Sequence, residues 1–160
     1  MIRSKFKLNV LLPIIPAAIV VWIFVELRKV IFPLDKLSVV VYLCLAFFLF
    51  ILVWVFGELR TKALKLTIGK DYILSRNFFG LGFSKRYYFQ EANGFKTSSL
   101  PAIGNSYEYL YLFVKNKKVI KISEFYHENY LQMKQYIGSR VRDLGYERFN
   151  FFREIKEIFI

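Results

Sequence analysis

Two uncharged apolar runs fill most of the first third of the chain, at residues 8–25 and 37–57. They are 18 and 21 residues long, and neither contains Asp, Glu, Lys, Arg or His. At a rise of about 1.5 Å per residue, a helix of either length crosses a hydrocarbon core of about 30 Å. The pattern therefore predicts a transmembrane helical hairpin over residues 1–62. Because neither run contains a charged residue that marks an ion path, we interpret the hairpin as an anchor.

From residue 63 the pattern changes to short segments in which apolar and polar residues alternate. Residues 64–68 alternate in this way, and the turn sequence Gly-Lys-Asp follows at 69–71. Residues 107–114 place three tyrosines and a phenylalanine on one side of a strand, and we expect that side to face the core. Short segments rich in aromatic and β-branched residues, separated by turns, predict about six or seven strands of an antiparallel sheet or barrel.

The following segment has a helical period. Apolar residues recur every three or four positions from Tyr126 to Leu144, which places them on one face of a helix. Gly145 stands where a C-terminal glycine cap is expected. These features predict an amphipathic helix over residues 126–144 that closes a β-domain over residues 63–145.

The last segment, residues 146–160, is a second amphipathic stretch. Its apolar residues have spacings that place them on one helix face, with charged residues opposite. Two arrangements are open: this tail packs back on the domain or the hairpin, or it lies in the lipid headgroup region or docks on a partner. The candidate interfacial residues are Phe151, Phe152, Ile155 and Phe159.

The order of these elements resembles that of bacterial PH-like domain proteins that carry two N-terminal spans. The resemblance covers residues 64–144 and rests on the opening hairpin around Gly69-Lys70-Asp71, the Gly94-Phe95 strand after a break, and the hairpin at 107–123 that leads into the helix. It implies an α+β membrane protein, in which a two-helix transmembrane hairpin precedes a PH-like antiparallel β-barrel or sandwich with a C-terminal amphipathic helix. It also implies a binding or assembly module rather than an enzyme.

Basic charge is the second strong feature. The chain has 24 Lys and Arg residues and 12 Asp and Glu residues, for a formal net charge of +12. Basic residues flank both outer ends of the apolar runs, so positive-inside counting favours a cytoplasmic β-domain in a multi-pass protein of the bacterial inner membrane. Basic clusters near a membrane attract anionic lipid or an acidic partner, and a solvated edge that discourages strand pairing explains them equally. The candidate lipid- or partner-binding residues are Arg60, Lys62, Lys65, Lys85, Arg86, Lys115, Lys117 and Lys118.

Residues for catalysis and metal binding are scarce. The single histidine, His127, and the single cysteine, Cys44, lie far apart in the sequence, which excludes Cys/His catalysis and ordinary His/Cys zinc sites. We expect His127 on the surface near the start of the closing helix, and Cys44 at a packing position in the second apolar run. No catalytic residue, cofactor, metal or small-molecule substrate is predicted, and the chain is not expected to be an enzyme.

These features favour a membrane-anchored PH-like binding or scaffolding module that presents a basic β-domain at the cytoplasmic face of the inner membrane. The expected partners are membrane lipids and a protein, including a second copy of the chain, but not nucleic acid. Two alternatives stay open. In one, the β-domain of a signal-responsive effector senses a ligand and drives oligomerisation of the hairpin. In the other, the chain is an immunity or inhibitor protein for a membrane-acting toxin.

Overall fold

The structure, a computed structural model, describes residues 1–31, 39–102 and 105–159 and has the predicted α+β class. Within these residues the helices are α1 (Ile14–Ile31), α2 (Val39–Lys62), α3 (Tyr130–Gly138) and α4 (Phe151–Phe159). The strands are β1 (Ile2–Arg3), β2 (Lys65–Ile68), β3 (Tyr72–Arg76), β4 (Ser84–Tyr88), β5 (Ala92–Ala102), β6 (Asn105–Val114), β7 (Lys117–Ser123) and β8 (Asp143–Tyr146).

Helices α1 and α2 correspond to the two apolar runs. The segments Leu8–Leu27 and Tyr42–Lys62 are long and apolar enough to cross a membrane. The helices contact each other through Phe24 and Phe48, whose stacked rings lie 4.9 Å apart. Helix α2 continues past residue 57, where the apolar run ends, because most of the polar residues that follow are good helix formers.

The strands form two four-stranded sheets. The first has the order β1-β2-β3-β4 and is antiparallel throughout. The second has the order β7-β6-β5-β8, in which β8 pairs with β5 in parallel and the other pairs are antiparallel. Strands β4 and β7 therefore each lie at an edge of their sheet, and the second sheet is mixed rather than purely antiparallel.

The N-terminal segment belongs to the first sheet. Ile2 pairs with Ile68 in an antiparallel register, and Ser4 exchanges two hydrogen bonds with Leu66, each of 2.8–2.9 Å. The β-domain is therefore tied to the hairpin before α1 as well as after α2. The predicted boundary between hairpin and β-domain at residue 62 does not include this connection, because a strand as short as β1 has no sequence pattern of its own.

The main core is formed by the two sheets and α3. Its fully buried side chains come from β2, β3, β6, β7 and α3, and they are almost all aliphatic. They include Leu66, Ile68, Ile73, Leu110, Leu112, Ile120, Ile122, Met133 and Ile137.

The closing helix is shorter than predicted, since α3 spans Tyr130–Gly138 rather than residues 126–144. Ahead of α3, the Glu128 N–H donates to the carbonyl oxygen of Lys5 at 2.9 Å. A backbone N–H that donates to another segment cannot also form a hydrogen bond within a helix. Beyond α3 the chain instead forms β8, which uses its backbone groups to pair with β5.

Both faces of β6 are buried, which corrects the prediction that its aromatic face lines the core. Leu110 and Leu112 belong to the main core. Tyr109, Tyr111 and Phe113 form a separate cluster that packs against Phe149 of the tail. The tail covers this face, so the tyrosines are buried outside the main core. A strand with both faces covered is apolar at successive positions.

Strand β8 approaches β5 closely at Gly94. A Cβ atom added there would lie 2.4 Å from Leu144 Cγ and 2.7 Å from the carbonyl oxygen of Arg142. We expect Gly94→Ala to lower the free energy of unfolding by about 1–3 kcal/mol, because the backbone must shift and weaken the β5–β8 pairing. Thermal unfolding of the full chain in detergent measures this effect.

Gly138→Ala is the matched control for that prediction. A Cβ at Gly138 would lie 3.7 Å from Phe95, which is ordinary contact, and alanine favours the helix. Equal losses in the two variants would contradict the steric explanation.

Candidate anion-binding pocket

An open pocket of about 480 Å³ lies between the edge strands β4 and β7, beside the last turn of α2 and against α4. Most of the residues that line it are polar or basic. The lining residues are Arg60, Thr61, Leu64, Ser75, Asn77, Lys85, Tyr87, Lys118, Val119, Ile120, Lys121 and Glu157.

Four basic side chains converge on the pocket: Arg60 from α2, Lys85 from β4, and Lys118 and Lys121 from β7. One carboxylate, that of Glu157, lies among the lining residues. Guanidinium and ammonium groups form strong, charge-assisted hydrogen bonds to carboxylate and phosphate oxygens. The wall therefore suits an anionic group.

The position of β4 and β7 at sheet edges explains how the lysines reach the pocket. Lys85 pairs with Ser75 across the β3–β4 ladder, and Lys85 and Tyr87 share one face of β4 because alternate residues of a strand do so. Within the described residues, neither β4 nor β7 pairs with another strand on the pocket side. Side chains from both edges can therefore enter the gap.

Lys118 is held by the acidic face of α4. Its Nζ lies 2.5 Å from Glu157 Oε1 and 3.6 Å from Glu154 Oε1. The same ammonium group lies 4.0 Å from the centre of the Tyr111 ring, within the range of a cation–π contact. Lys118 is thus oriented from two sides.

Lys121 is buried, with 5% of its side chain exposed, and its ammonium group contacts the Glu154 carboxylate. Burial, together with the positive charges of Lys62 and Lys118, lowers the pKa of Lys121 to about 6. A neighbouring anion favours the charged form of a lysine. The charge on Lys121 therefore depends on the carboxylate or other anion beside it.

Sequence reasoning missed Lys121 for a physical reason. It stands between Ile120 and Ile122, so alternation places it on the face of β7 opposite the core, where a lysine is usually solvated. No local pattern shows that α4 covers this face.

Helix α4 packs with its polar face toward the β-domain. Glu154 is buried and accepts a hydrogen bond of 3.1 Å from the Tyr111 hydroxyl. On the other side of the helix, Phe151 and Phe152 are 56% and 83% exposed, and Ile155 is half-buried. The tail thus packs back on the domain through charged groups while it leaves phenylalanines exposed. The side chain of Phe159 lies outside the described residues.

The other predicted basic residues lie apart from the pocket wall. Lys62 pairs with Glu58 at 2.6 Å, and the exposed Arg86 stacks over the Tyr72 ring at 4.7 Å. The remaining three are exposed, at the start of β2 and around the β6–β7 turn. They are Lys65, Lys115 and Lys117.

His127 is buried, which corrects the expectation of a surface residue. Its Nε2 lies 3.0 Å from the carbonyl oxygen of Leu64, and its Nδ1 lies 3.0 Å from that of Ser123. Burial lowers the pKa of the imidazole, and the two backbone carbonyls oppose this shift. The ring joins the segment that follows α2 to the end of β7.

Comparisons with protein-family models, curated protein sequences and solved structures find no match for this chain. The resemblance to bacterial PH-like proteins therefore stays a prediction. Among the described residues, no group of three or more His, Cys, Asp or Glu side chains is placed to hold a metal ion.

Proposed function

We propose that this chain is a membrane-anchored, PH-like binding module whose pocket takes the phosphate-bearing headgroup of an anionic lipid. In this proposal α1 and α2 span the bacterial inner membrane, and the β-domain lies on the cytoplasmic side. The module binds and positions; it does not catalyse a reaction.

The observation that carries the proposal is the position of the pocket relative to α2. Arg60, which lines the pocket, is the third residue from the end of the candidate span Tyr42–Lys62. If that helix crosses the bilayer, its last turn lies at the level of the headgroups, and so does the pocket. A lipid headgroup then reaches the pocket by lateral diffusion without leaving the membrane.

Charge supports the same ligand. Each Lys or Arg close to an anionic leaflet contributes about 1 kcal/mol of attraction. In the pocket, Arg60 and Lys85 lie with Lys118, which also pairs with Glu157, around a space of about 480 Å³. These groups therefore act on one bound group rather than on a diffuse surface. An open pocket lined by basic side chains suits a headgroup whose acyl chains remain in the bilayer.

The test uses the full chain in detergent with a mixture of phosphatidylglycerol and phosphatidylcholine, and native mass spectrometry counts the lipids that stay bound. We expect phosphatidylglycerol to be retained in preference. The variant Arg60→Gln/Lys85→Gln loses two pocket cations, worth about 1 kcal/mol each, so its affinity for phosphatidylglycerol is expected to fall roughly thirtyfold.

The matched control is Lys115→Gln/Lys117→Gln, which removes the same charge from the exposed β6–β7 turn. This variant should lose much less affinity. Equal losses of affinity in the two variants would show that diffuse surface charge, rather than the pocket, binds the lipid. Equal retention of the two lipids by the unmodified chain would refute anionic headgroup binding.

A further inference from the structure

The loop between β3 and β4 carries the two most exposed large apolar side chains of the described residues. Leu81 is 91% exposed and Phe83 is 88% exposed. Lys85 and Arg86 follow directly in β4 and are also exposed. An apolar tip next to basic residues is typical of a segment that lies at an anionic membrane surface.

This loop lies against the end of α2. The rings of Phe78 and Phe56 are 4.6 Å apart, and the Phe79 N–H donates to the carbonyl oxygen of Ala63 at 2.9 Å. Phe56 is six residues before Lys62, the last residue of the candidate span. Six residues of helix correspond to about 9 Å, so the loop flanks the last two turns of α2.

The loop is held in an uncommon backbone conformation. Phe78 and Phe79 have φ angles of 49° and 57°, and Gly80 has a φ of 101°. Residues with a side chain rarely adopt this left-handed region, and they keep it only where the surroundings impose it. Here Phe78 packs on α2, and Phe79 packs edge-to-face on Phe6 at 5.5 Å. These partly buried aromatic rings therefore anchor the loop and leave its tip outside.

Strand direction places this tip at the end of the sheet that lies next to α2. Strand β2 leaves the end of α2 at Lys65, and β3 returns antiparallel to it, with Arg76 opposite Lys65. The loop that follows β3 is thus at the α2 end of the sheet, while the Gly69–Asp71 turn is at the far end. A four-residue strand spans about 13 Å, so the two turns are separated by about that distance along the strand.

We infer that the β3–β4 loop is a membrane-inserting wedge, with Leu81 and Phe83 in the interfacial region of the leaflet where α2 ends. This inference rests on the proposed function, because it requires α1 and α2 to span the bilayer. The occupant is lipid rather than a protein, since the tip lies beside the end of a candidate span and is followed by cations that can reach headgroups. The wedge would fix the tilt of the β-domain and hold the pocket open toward the headgroups.

The test places a fluorescent label at single cysteines of the full chain, in a Cys44→Ser background, in vesicles of phosphatidylcholine and phosphatidylglycerol. Lipids with a nitroxide near the headgroup or deep in the acyl chain quench the label according to its depth. The labelled variants are Leu81→Cys, Phe83→Cys as a second site on the tip, Val53→Cys within the candidate span, and Lys70→Cys at the far turn.

We expect headgroup-level nitroxide to quench the labels at Leu81 and Phe83 most, deep nitroxide to quench Val53 most, and neither to quench Lys70. Quenching of Val53 without either tip label would overturn the wedge and leave the proposed function intact. An unquenched Val53 label would overturn membrane spanning itself, and the wedge with it. A tip label with blue-shifted emission but no quenching would identify a protein surface, such as a second copy, and would also overturn the wedge.

Discussion

Glu154→Gln is expected to release helix α4 from the β-domain. The substitution removes the carboxylate that Lys121 contacts. Both side chains are buried, because that of Lys121 is only 5% exposed and that of Glu154 only 8%. Loss of one partner of a buried ion pair costs about 3–5 kcal/mol, because the lysine must then either stay charged without compensation or lose its proton. Detachment of α4, at the end of the described chain, relieves this cost because it lets water reach Lys121.

Hydrogen exchange of the backbone amides of Phe151–Phe159 measures the release, which should increase exchange by a factor of roughly 100 or more. The pKa of Lys121, lowered to about 6, sets the pH dependence. A lysine with a lowered folded pKa binds fewer protons in the docked state than in water. Docking in the variant should therefore be weakest below the lowered pKa, where Lys121 is charged in both states, and should recover as the pH rises toward 10.5, the ordinary lysine value.

Arg153→Gln is the matched control for this experiment. It also breaks an ion pair of α4, that of Arg153 with Glu147 at 2.5 Å, but the arginine is 54% exposed. Exposed pairs contribute at most about 1 kcal/mol. A second check is Lys121→Met in the Glu154→Gln background, which should restore protection because no buried charge remains. Similar exchange in Glu154→Gln and Arg153→Gln would contradict a dominant buried pair.

His127→Phe is expected to lower the free energy of unfolding by about 1–3 kcal/mol, because the neutral imidazole donates its one N–H to a buried carbonyl oxygen, that of Leu64 or Ser123, and phenylalanine has no donor. The ring is fully buried and lies 5.2 Å from the ring of Phe6, an environment that tolerates an aromatic replacement. Thermal unfolding of the full chain in detergent measures the difference.

The same residue predicts a pH dependence of stability. Burial lowers the pKa of His127 below its ordinary value of 6.5, so the unfolded chain binds the proton more readily than the folded chain. Stability is therefore expected to fall as the pH decreases through 6.5, and His127→Phe should lack this component. His127→Gln, which keeps a donor for one carbonyl, should recover part of the stability. A pH profile unchanged in His127→Phe would assign the effect to other groups.

The pocket shows how many of its basic residues can be identified from residue type alone, before their positions in three dimensions are known. Three of its four cations, Arg60, Lys85 and Lys118, were selected from the sequence because they cluster or follow the apolar run. The same reasoning also selected Lys62, which pairs with Glu58, and Lys115 and Lys117 in an exposed turn. Charge clustering is a local property, whereas a pocket requires side chains from separate elements to meet.

By itself, the sequence determined the two long apolar helices and the α+β class, because an uncharged run of about 20 residues and an alternation of period two are local patterns with strong physical preferences. It also determined the amphipathic character of the tail. Tertiary structure alone decided the pairing of β1 with β2, the conversion of residues 143–146 into β8, and the burial of Lys121 and His127. The physical reason is common to all of these. Hydrogen bonds and ion pairs between segments distant in the chain outweigh local preference, and a polar side chain becomes buried when a distant element supplies its partner.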